Sequence, residues 1–544
     1  MSGRDYKHML VTAAGTSGSR ILGMVRDLLI AAFFGTSGVA AAFLLAFQLP
    51  NLFRRLLGEG ALTTALVPPI TEELKAGGKP AAFAFFNLVV RRILPWMLGI
   101  VVLIAALALG VSFLSDAGLT ALADFLGAAD DAERNRLSLQ MIAFTIPYMP
   151  LICLAAIFSA GLNVLGKFNA TSLTAVWLNL TMIAALVLSG YVFGCSQEAC
   201  AWWLCVGILA GGVLQLGVPA AAIATEGWRP SATAGSATGE RSWDLLKSMF
   251  FPALIGAGIT QFNIFFTRLI AFGVDDQALS VYHYANRLVE IPTGIFSASI
   301  FTVVYPLFAA FAARRDFEGL RSEFFHGVRL IFAIIVPAIV GIVLLAQPLV
   351  EIFFQHGRFN AADTAATVPV VCIFTLAVLF YSLSGMELKC LNAMGDTRPQ
   401  RNSAAVAFVA NCVFVVAFTM CLGWGVCGLA LANLLSSVAQ TLYLTFCLWR
   451  RERAFLSAKL ILPFVKSCLA GTLMGVWVYF GWRFFYGTWL CDPAVSDHWF
   501  EILCGLAVVV PAACVIYALA MIALRYEEVA ELYNLVKIKI FRLK

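Results

Sequence analysis

Charge is scarce in this chain. Asp, Glu, Lys and Arg make up 12% of its 544 residues and only five are histidine, whereas a soluble domain carries roughly 25% charged residues. A chain this poor in charge cannot face water on all sides. Catalytic signatures are missing as well: no DDxxD, HExxH or GxSxG stretch occurs, so nothing marks a prenyl-phosphate metal enzyme, a zinc hydrolase or a serine hydrolase. No Cys/His spacing suggests zinc, and most of the fourteen cysteines sit singly in apolar runs, where a thiol behaves as a small hydrophobe. Cys195 and Cys200 in "GCSQEAC" share a polar loop, and a disulfide there is open if the loop is periplasmic. The net charge of +6 is scattered between apolar runs, which excludes a nucleic-acid face. No small-residue cleavage site follows "MSGRDYKHML", so the first span is expected to be retained.

What the chain has is hydrocarbon. Hydrophobic residues reach 61%, and runs of 18 or more, long enough to cross a bilayer, recur from end to end. Only helices satisfy every backbone group there, so the expected fold is an all-α polytopic membrane protein with about fourteen spans. These cover approximately 10–34, 39–57, 84–114, 139–163, 169–193, 200–225, 245–273, 279–310, 328–355, 365–392, 402–422, 425–449, 460–483 and 499–524. The positive-inside rule places both termini in the cytoplasm. Arg54, Arg55, Lys75, Lys79, Lys167, Arg229, Arg314, Arg315, Arg398, Arg450 and Arg451 then fall inside, while Arg134, Arg136 and the acidic loops at Asp130–Asp131 and Asp275–Asp276 fall outside.

The polar break "TEGWRPSATAGSATGERSWD" near the midpoint divides the chain into residues 1–226, a linker 227–242, residues 243–450, and 451–544 with two further spans and a basic tail. The halves resemble each other. Gly35 lies over Gly273 and Gln48 near Asn286, and Asn163, Gly166 and Asn179 over Asn392, Gly395 and Asn411. Both alignments step by about 230 to 240 residues, across an even number of spans, which predicts parallel repeats of a transporter.

Charges inside the spans are the functional signal. An arginine at the bilayer centre costs about 2.5–3.5 kcal/mol, so Arg20, Arg26, Arg268 and Arg287 must face a bundle interior or a wet cavity. Helical spacing aligns Arg20 with Asp27 and leaves Arg26 to the side; it also aligns Gln48 with Arg55 and Glu59, Gln261 with Arg268, and His283 with Arg287 and Glu290. Interface anchoring explains Arg54 and Arg55 as well as substrate contact does. Arg287–Glu290 also fits a local pair, and Arg268 fits snorkelling to the surface. The arginines outnumber the acids, and their planar fork suits a phosphate, so the expected cargo is an anion.

"SRILGMVRDLLIAAFFG", "FQLPNLFRRLLGEGALTTALVPPITEELK", "YANRLVEIPTGIF", "FFQHGRFNAADT" and "NAMGDTRP" together resemble the MurJ (MviN) family of lipid II flippases, in the multidrug/oligosaccharidyl-lipid/polysaccharide exporter superfamily. The resemblance implies two six-helix lobes in a V around a central cavity, plus two C-terminal helices forming a hydrophobic groove. It implies translocation of lipid II to the outer leaflet of the bacterial inner membrane by a monomer, without enzymatic activity or a cofactor. Membrane lipids surround it, and a coupling cation or the membrane potential drives it. Substrate contact is implied at Arg20, Arg26, Asp27, Arg54, Arg55, Glu59 and Arg287, to which the residues themselves add Arg268 and Glu290. The chain departs from the family pattern at Ala41, where an acid is common, at Gln48, where a base is common, and at Asn286, where an aspartate is common.

Overall fold

With no water to bond in hydrocarbon, an apolar chain closes its hydrogen bonds within helices, and the computed structural model is helical, with no strand among the described residues. These are 3–126, 131–167, 171, 174–231, 237–455, 457–489 and 499–529. The chain divides into two compact units, Met1–Ser280 and Val281–Lys544. The first holds α1 (Gly3–Phe34), α2 (Gly38–Phe53), α3 (Leu62–Ser112), α4 (Asp116–Leu126), α5 (Ala132–Thr145), α6 (Tyr148–Val164), α7 (Thr174–Leu186), α8 (Gln197–Thr225) and α9 (Ala237–Val274). The second is built from α10 (Ala278–Ala313), α11 (Phe317–Leu344), α12 (Ala346–Phe354), α13 (Ala361–Ala393), α14 (Arg398–Val415), α15 (Gly425–Arg451), α16 (Ile461–Trp489) and α17 (Trp499–Ala523).

Twelve helical segments among the described residues are long and apolar enough to cross a membrane, and they fall on expected spans three to fourteen. The first two expected spans are not among these twelve. α1 carries Arg20, Arg26 and Asp27 in its apolar part, and α2 runs only 16 residues before widening into a π-helical turn, Arg54–Ala61. α3 breaks at Gly77–Gly78, where Gly78 takes φ 66°, a conformation open to glycine at little cost. Leu66, Phe85, Phe86, Ile157 and Phe158 form the core around α3 and α6, joined by Leu246 of α9.

The repeat is visible in the local geometry of each unit. α6 ends in a Schellman motif: Gly166 has φ 74°, its N–H bonds to Asn163 O at 3.0 Å, and Lys167 N–H bonds to Leu162 O at 2.9 Å. α13 ends the same way, with Gly395 at φ 79°, its N–H on Asn392 O at 3.0 Å, and Asp396 N–H on Leu391 O at 3.1 Å. The next helix of each unit closes in a π-turn, Val187–Val192 or Val416–Cys421, followed by Gly194 at φ 60° or Gly423 at φ 66°. The step from Gly166 to Gly395 equals that from Val187 to Val416. A shared ancestral segment explains this better than chance likeness of apolar runs.

α16 and α17 pack on each other through Met474, Val478 and Val509. The segment after α17 is fastened to α11: Tyr526 Oη donates to Arg329 O at 2.8 Å, and the buried Glu528 accepts from Arg329 and pairs with His326 Nδ1 at 3.3 Å. Burial raises the Glu528 carboxyl, but the His326 and Arg329 hydrogen bonds outweigh it and hold the group below the usual carboxylate range. A depressed carboxylate stabilises the fold above its unfolded pKa and loses that contribution as pH falls through its folded pKa. Glu528→Gln is therefore expected to lower the thermal-unfolding midpoint at neutral pH, by about 1–3 kcal/mol in stability. Acidification through the carboxylate range should narrow the gap between variant and wild type. Equal midpoints at neutral pH would show that Glu528 holds nothing.

Candidate functional site

The apolar part of α1 offers two different arginines. Arg20 is exposed, with no partner among the described residues. Arg26 is fixed. Its Nε and Nη2 donate to Asp27 Oδ1 at 2.9 and 2.7 Å, and its Nη1 donates to Asn179 Oδ1 of α7 at 3.0 Å. Asn179 Nδ2 in turn donates to Ser19 O at 3.1 Å, and the Phe47 ring lies 5.9 Å from the guanidinium carbon. The Arg26 and Asp27 side chains are 13% and 1% exposed. Removing one partner of a pair this buried costs about 3–5 kcal/mol, because it strands the other charge. Asp27 shares a helix face with Arg20 by spacing, but it is buried and pairs with Arg26, whose long side chain folds back over one residue.

α2 delivers the next group. Arg54 Nε donates to Asn51 Oδ1 at 2.8 Å, and Arg55 is half-buried beside it. Both open the π-helical turn, a geometry that recurs at functional sites. Glu59 lies in the same turn; its side chain is outside the described residues. From α9, Arg268 reaches α2, where its Nη1 donates to Gln48 Oε1. Arg268 thus packs against a neighbouring helix rather than snorkelling to the surface. In the first unit the structure brings Arg26 to Asp27 and Arg268 to Gln48; Arg20 stands apart from both knots.

In the second unit, Arg287 Nη1 lies 3.2 Å from Glu290 Oε2, and Asn286 Nδ2 donates to Glu290 Oε1 at 2.9 Å. The local i,i+3 pair is therefore formed. With side chains 26% and 48% exposed, it remains within reach of an incoming anion.

Sequence reasoning missed three residues. Asn179 appeared only as a repeat marker, although an amide in an apolar span is itself a signal. Gln48 appeared on a polar stripe with Arg55 and Glu59 and as a departure from the family, not as the acceptor of Arg268. Arg134, assigned to an outer loop by charge counting, is 3% exposed, bonded to Asp276 at 2.7 Å and stacked 4.3 Å from the Phe272 ring centre. Asp131 caps α5 through the Arg134 N–H at 2.9 Å. Arg134 also lines a cavity of about 820 Å³ with Arg136, Asp116, Asp131, Glu133 and Asp276. None of the eight predicted substrate residues with described side chains lines that cavity.

The geometry describes arginines held by carboxylates and amides within apolar helices, an arrangement suited to an anionic headgroup. A family model described as "Lipid II flippase MurJ" matches residues 30–495. The chain belongs to the lipid II flippase MurJ family. A probable lipid II flippase MurJ of Haemophilus influenzae is 29% identical over 477 residues, covering 85% of this chain and 90% of the relative. A solved lipid II flippase MurJ in an inward closed conformation superposes with a TM-score of 0.74 at 23% identity, covering 95% of this chain and 99% of that one. An inward-facing multidrug resistance MATE family transporter of the MOP superfamily gives a TM-score of 0.58 at 14% identity, covering 80% and 94%. The structural matches establish the fold. The MurJ family is one of transporters, not enzymes. Against its pattern, Ala41 is fully buried, Gln48 receives the guanidinium of Arg268, and Asn286 is committed to Glu290.

Proposed function

We propose that this chain carries lipid II, undecaprenyl-pyrophosphate bearing its disaccharide-pentapeptide, from the inner to the outer leaflet of the bacterial inner membrane by alternating access. The family match across residues 30–495 carries this reading. The arginines of α1, α2, α9 and α10 support it, because guanidinium in low dielectric favours a phosphate over a cationic drug. Arg20 is assigned direct contact with the pyrophosphate. Arg26 is oriented by Asp27 and Asn179; Arg54, Arg55 and Arg268 add positive potential; Glu59, in the same turn of the chain as Arg54 and Arg55, completes the set; Arg287 is oriented by Glu290. The prenyl tail stays in lipid along α16 and α17, whose Leu469, Leu473, Val476, Phe480 and Val515 are exposed.

The chain is taken to act as a monomer with both termini in the cytoplasm. The membrane potential, worth about 2.3 kcal/mol per charge per 100 mV, favours outward movement of an anion; a coupling cation is the alternative drive. A multidrug antiporter of the same superfamily would want acidic cavity residues, the reverse of this set. A prenyl-phosphate enzyme would want clustered metal ligands, and among the described residues no group of three or more His, Cys, Asp or Glu could hold a metal.

The test is complementation of a flippase-depleted bacterium, scored by growth and by lipid II exposed on the outer leaflet. Rescue of both supports the proposal. Normal membrane level with neither rescued, together with no flipping in reconstituted vesicles, would remove it.

A further inference from the structure

Glu387 is a carboxylate buried in an apolar bundle. It lies on α13 against α15, 6% exposed. Its Oε1 is 2.5 Å from Thr445 Oγ1, and its buried Oε2 has no partner. Among the described residues no cation pairs with it. The nearby charges are engaged elsewhere: Lys389 lies over the Tyr305 ring of α10 at 5.1 Å, Arg450 of α15 over Phe446, and Arg451 on Asp396. His326 and Arg329 of α11 hold Glu528, and Arg398 and Arg401 of α14 are exposed. Cys390, buried on the same helix, is the adjoining titratable group.

Hydrogen bookkeeping shows which form fits. Thr445 Oγ1 stands 2.5 Å from Glu387 Oε1 and 3.0 Å from the carbonyl oxygen of Thr441. An ionised Glu387 leaves one hydroxyl proton between two acceptors. A protonated Glu387 donates to Thr445 Oγ1, whose own O–H then donates to Thr441, and both contacts are made. The orphan Oε2 is tolerable as the carbonyl oxygen of a neutral acid but costly as half of a buried anion.

The repeat shows that packing does not require the carboxylate. The step that relates Gly395 to Gly166 takes Glu387 to Phe158 and Thr445 to Leu216. In the first unit these two belong to the apolar core between α6 and α8. The same helix pair is therefore packed by hydrocarbon in one unit and by an acid and a hydroxyl in the other. An ionisable group inside a membrane bundle is a functional candidate by default.

We propose that Glu387 is a proton-binding site. It is neutral while held between α13 and α15, and coupling requires only that it exchange its proton with the nearer aqueous face at one stage of the cycle. The exchange is a simple dissociation of the carboxyl O–H to water. The coupling half of this proposal rests on the transport reading above; the proton site does not.

Infrared difference spectroscopy of the purified protein in lipid bilayers tests the site without substrate. At neutral pH the wild type should show the carbonyl stretch of a protonated carboxyl, absent in Glu387→Gln. Thr445→Val, which removes the hydrogen-bond acceptor, should shift that band and not abolish it, so the site can be read even if the glutamine variant fails to fold. A spectrum without such a band at neutral pH, or a band indifferent to both substitutions, overturns the proposal. In vesicles at zero membrane potential, a pH gradient should change wild-type flipping by up to about tenfold per pH unit for a one-proton step. Glu387→Gln should flip at a rate independent of the gradient. A glutamine variant that keeps the full gradient response would overturn the coupling role.

Discussion

Arg20→Ala abolishes rescue of a flippase-depleted strain while its membrane level stays at wild type. Arg20 is exposed and has no partner among the described residues, whereas Arg26 is neutralised by Asp27 and held by Asn179. Its removal leaves no buried charge stranded, so folding is spared. A charged hydrogen bond contributes about 1.5–3 kcal/mol, so losing it should weaken headgroup binding roughly 10- to 100-fold. Arg20→Lys should fall between, since it keeps the charge and loses the planar fork. The measurement is lipid II flipping per unit of protein for the three forms. Equal rates for wild type and Arg20→Ala would make Arg20 a surface residue and take away the direct phosphate ligand.

Much of this arrangement was legible in the chain, and the rest was hidden for identifiable reasons. Apolar runs located the helices because hydrocarbon forces backbone bonds inward, and NxxG at Asn163 and Asn392 marked two helix ends that adopt one geometry. Asp27 was legible as a partner of the α1 arginines, and Arg26 is the one it holds; the amide partners Asn179 and Gln48 were not legible. Periodicity places Cα atoms, but an arginine reaches over one residue to Asp27 or across to another helix at Gln48, so Asp27 was aligned with Arg20 and Arg268 was left open between cavity and surface. Arg134 was hidden because charge counting assigns whole loops to a side and cannot register that Asp276 and Phe272 hold this side chain out of water. Glu387 gives a sequence signal no stronger than any lone acid near a span end. Only its burial and its bond to Thr445 separate it from an interface residue.

Exchanging the charge between positions 48 and 268 restores a function that either change alone destroys. Arg268 Nη1 donates to Gln48 Oε1, so the guanidinium meets the α2 position where the family resemblance makes a base common. In Gln48→Lys two cations meet within hydrogen-bond reach. At 4 Å and an effective dielectric of 20 their repulsion is about 4 kcal/mol, enough to separate α2 from α9. In Arg268→Gln the charge is lost altogether. Gln48→Lys with Arg268→Gln returns one charge to one place, with an amide as its neighbour. Growth rescue and flipping should fall by more than about tenfold in each single variant, which 1.4 kcal/mol already accounts for, and return to within a few-fold of wild type in the double variant. A double variant no better than the worse single would show that Arg268 acts through contacts other than Gln48.

The central claim is that this chain moves a lipid by its pyrophosphate. The direct measurement is flipping by the purified protein in vesicles, comparing lipid II with a prenyl lipid that carries the same disaccharide-pentapeptide on an uncharged linkage. Protein-dependent transfer of lipid II, with the uncharged lipid left in its original leaflet, is the predicted result. Transfer of both at similar rates would contradict the arginine-based account, and transfer of neither would contradict the proposed function.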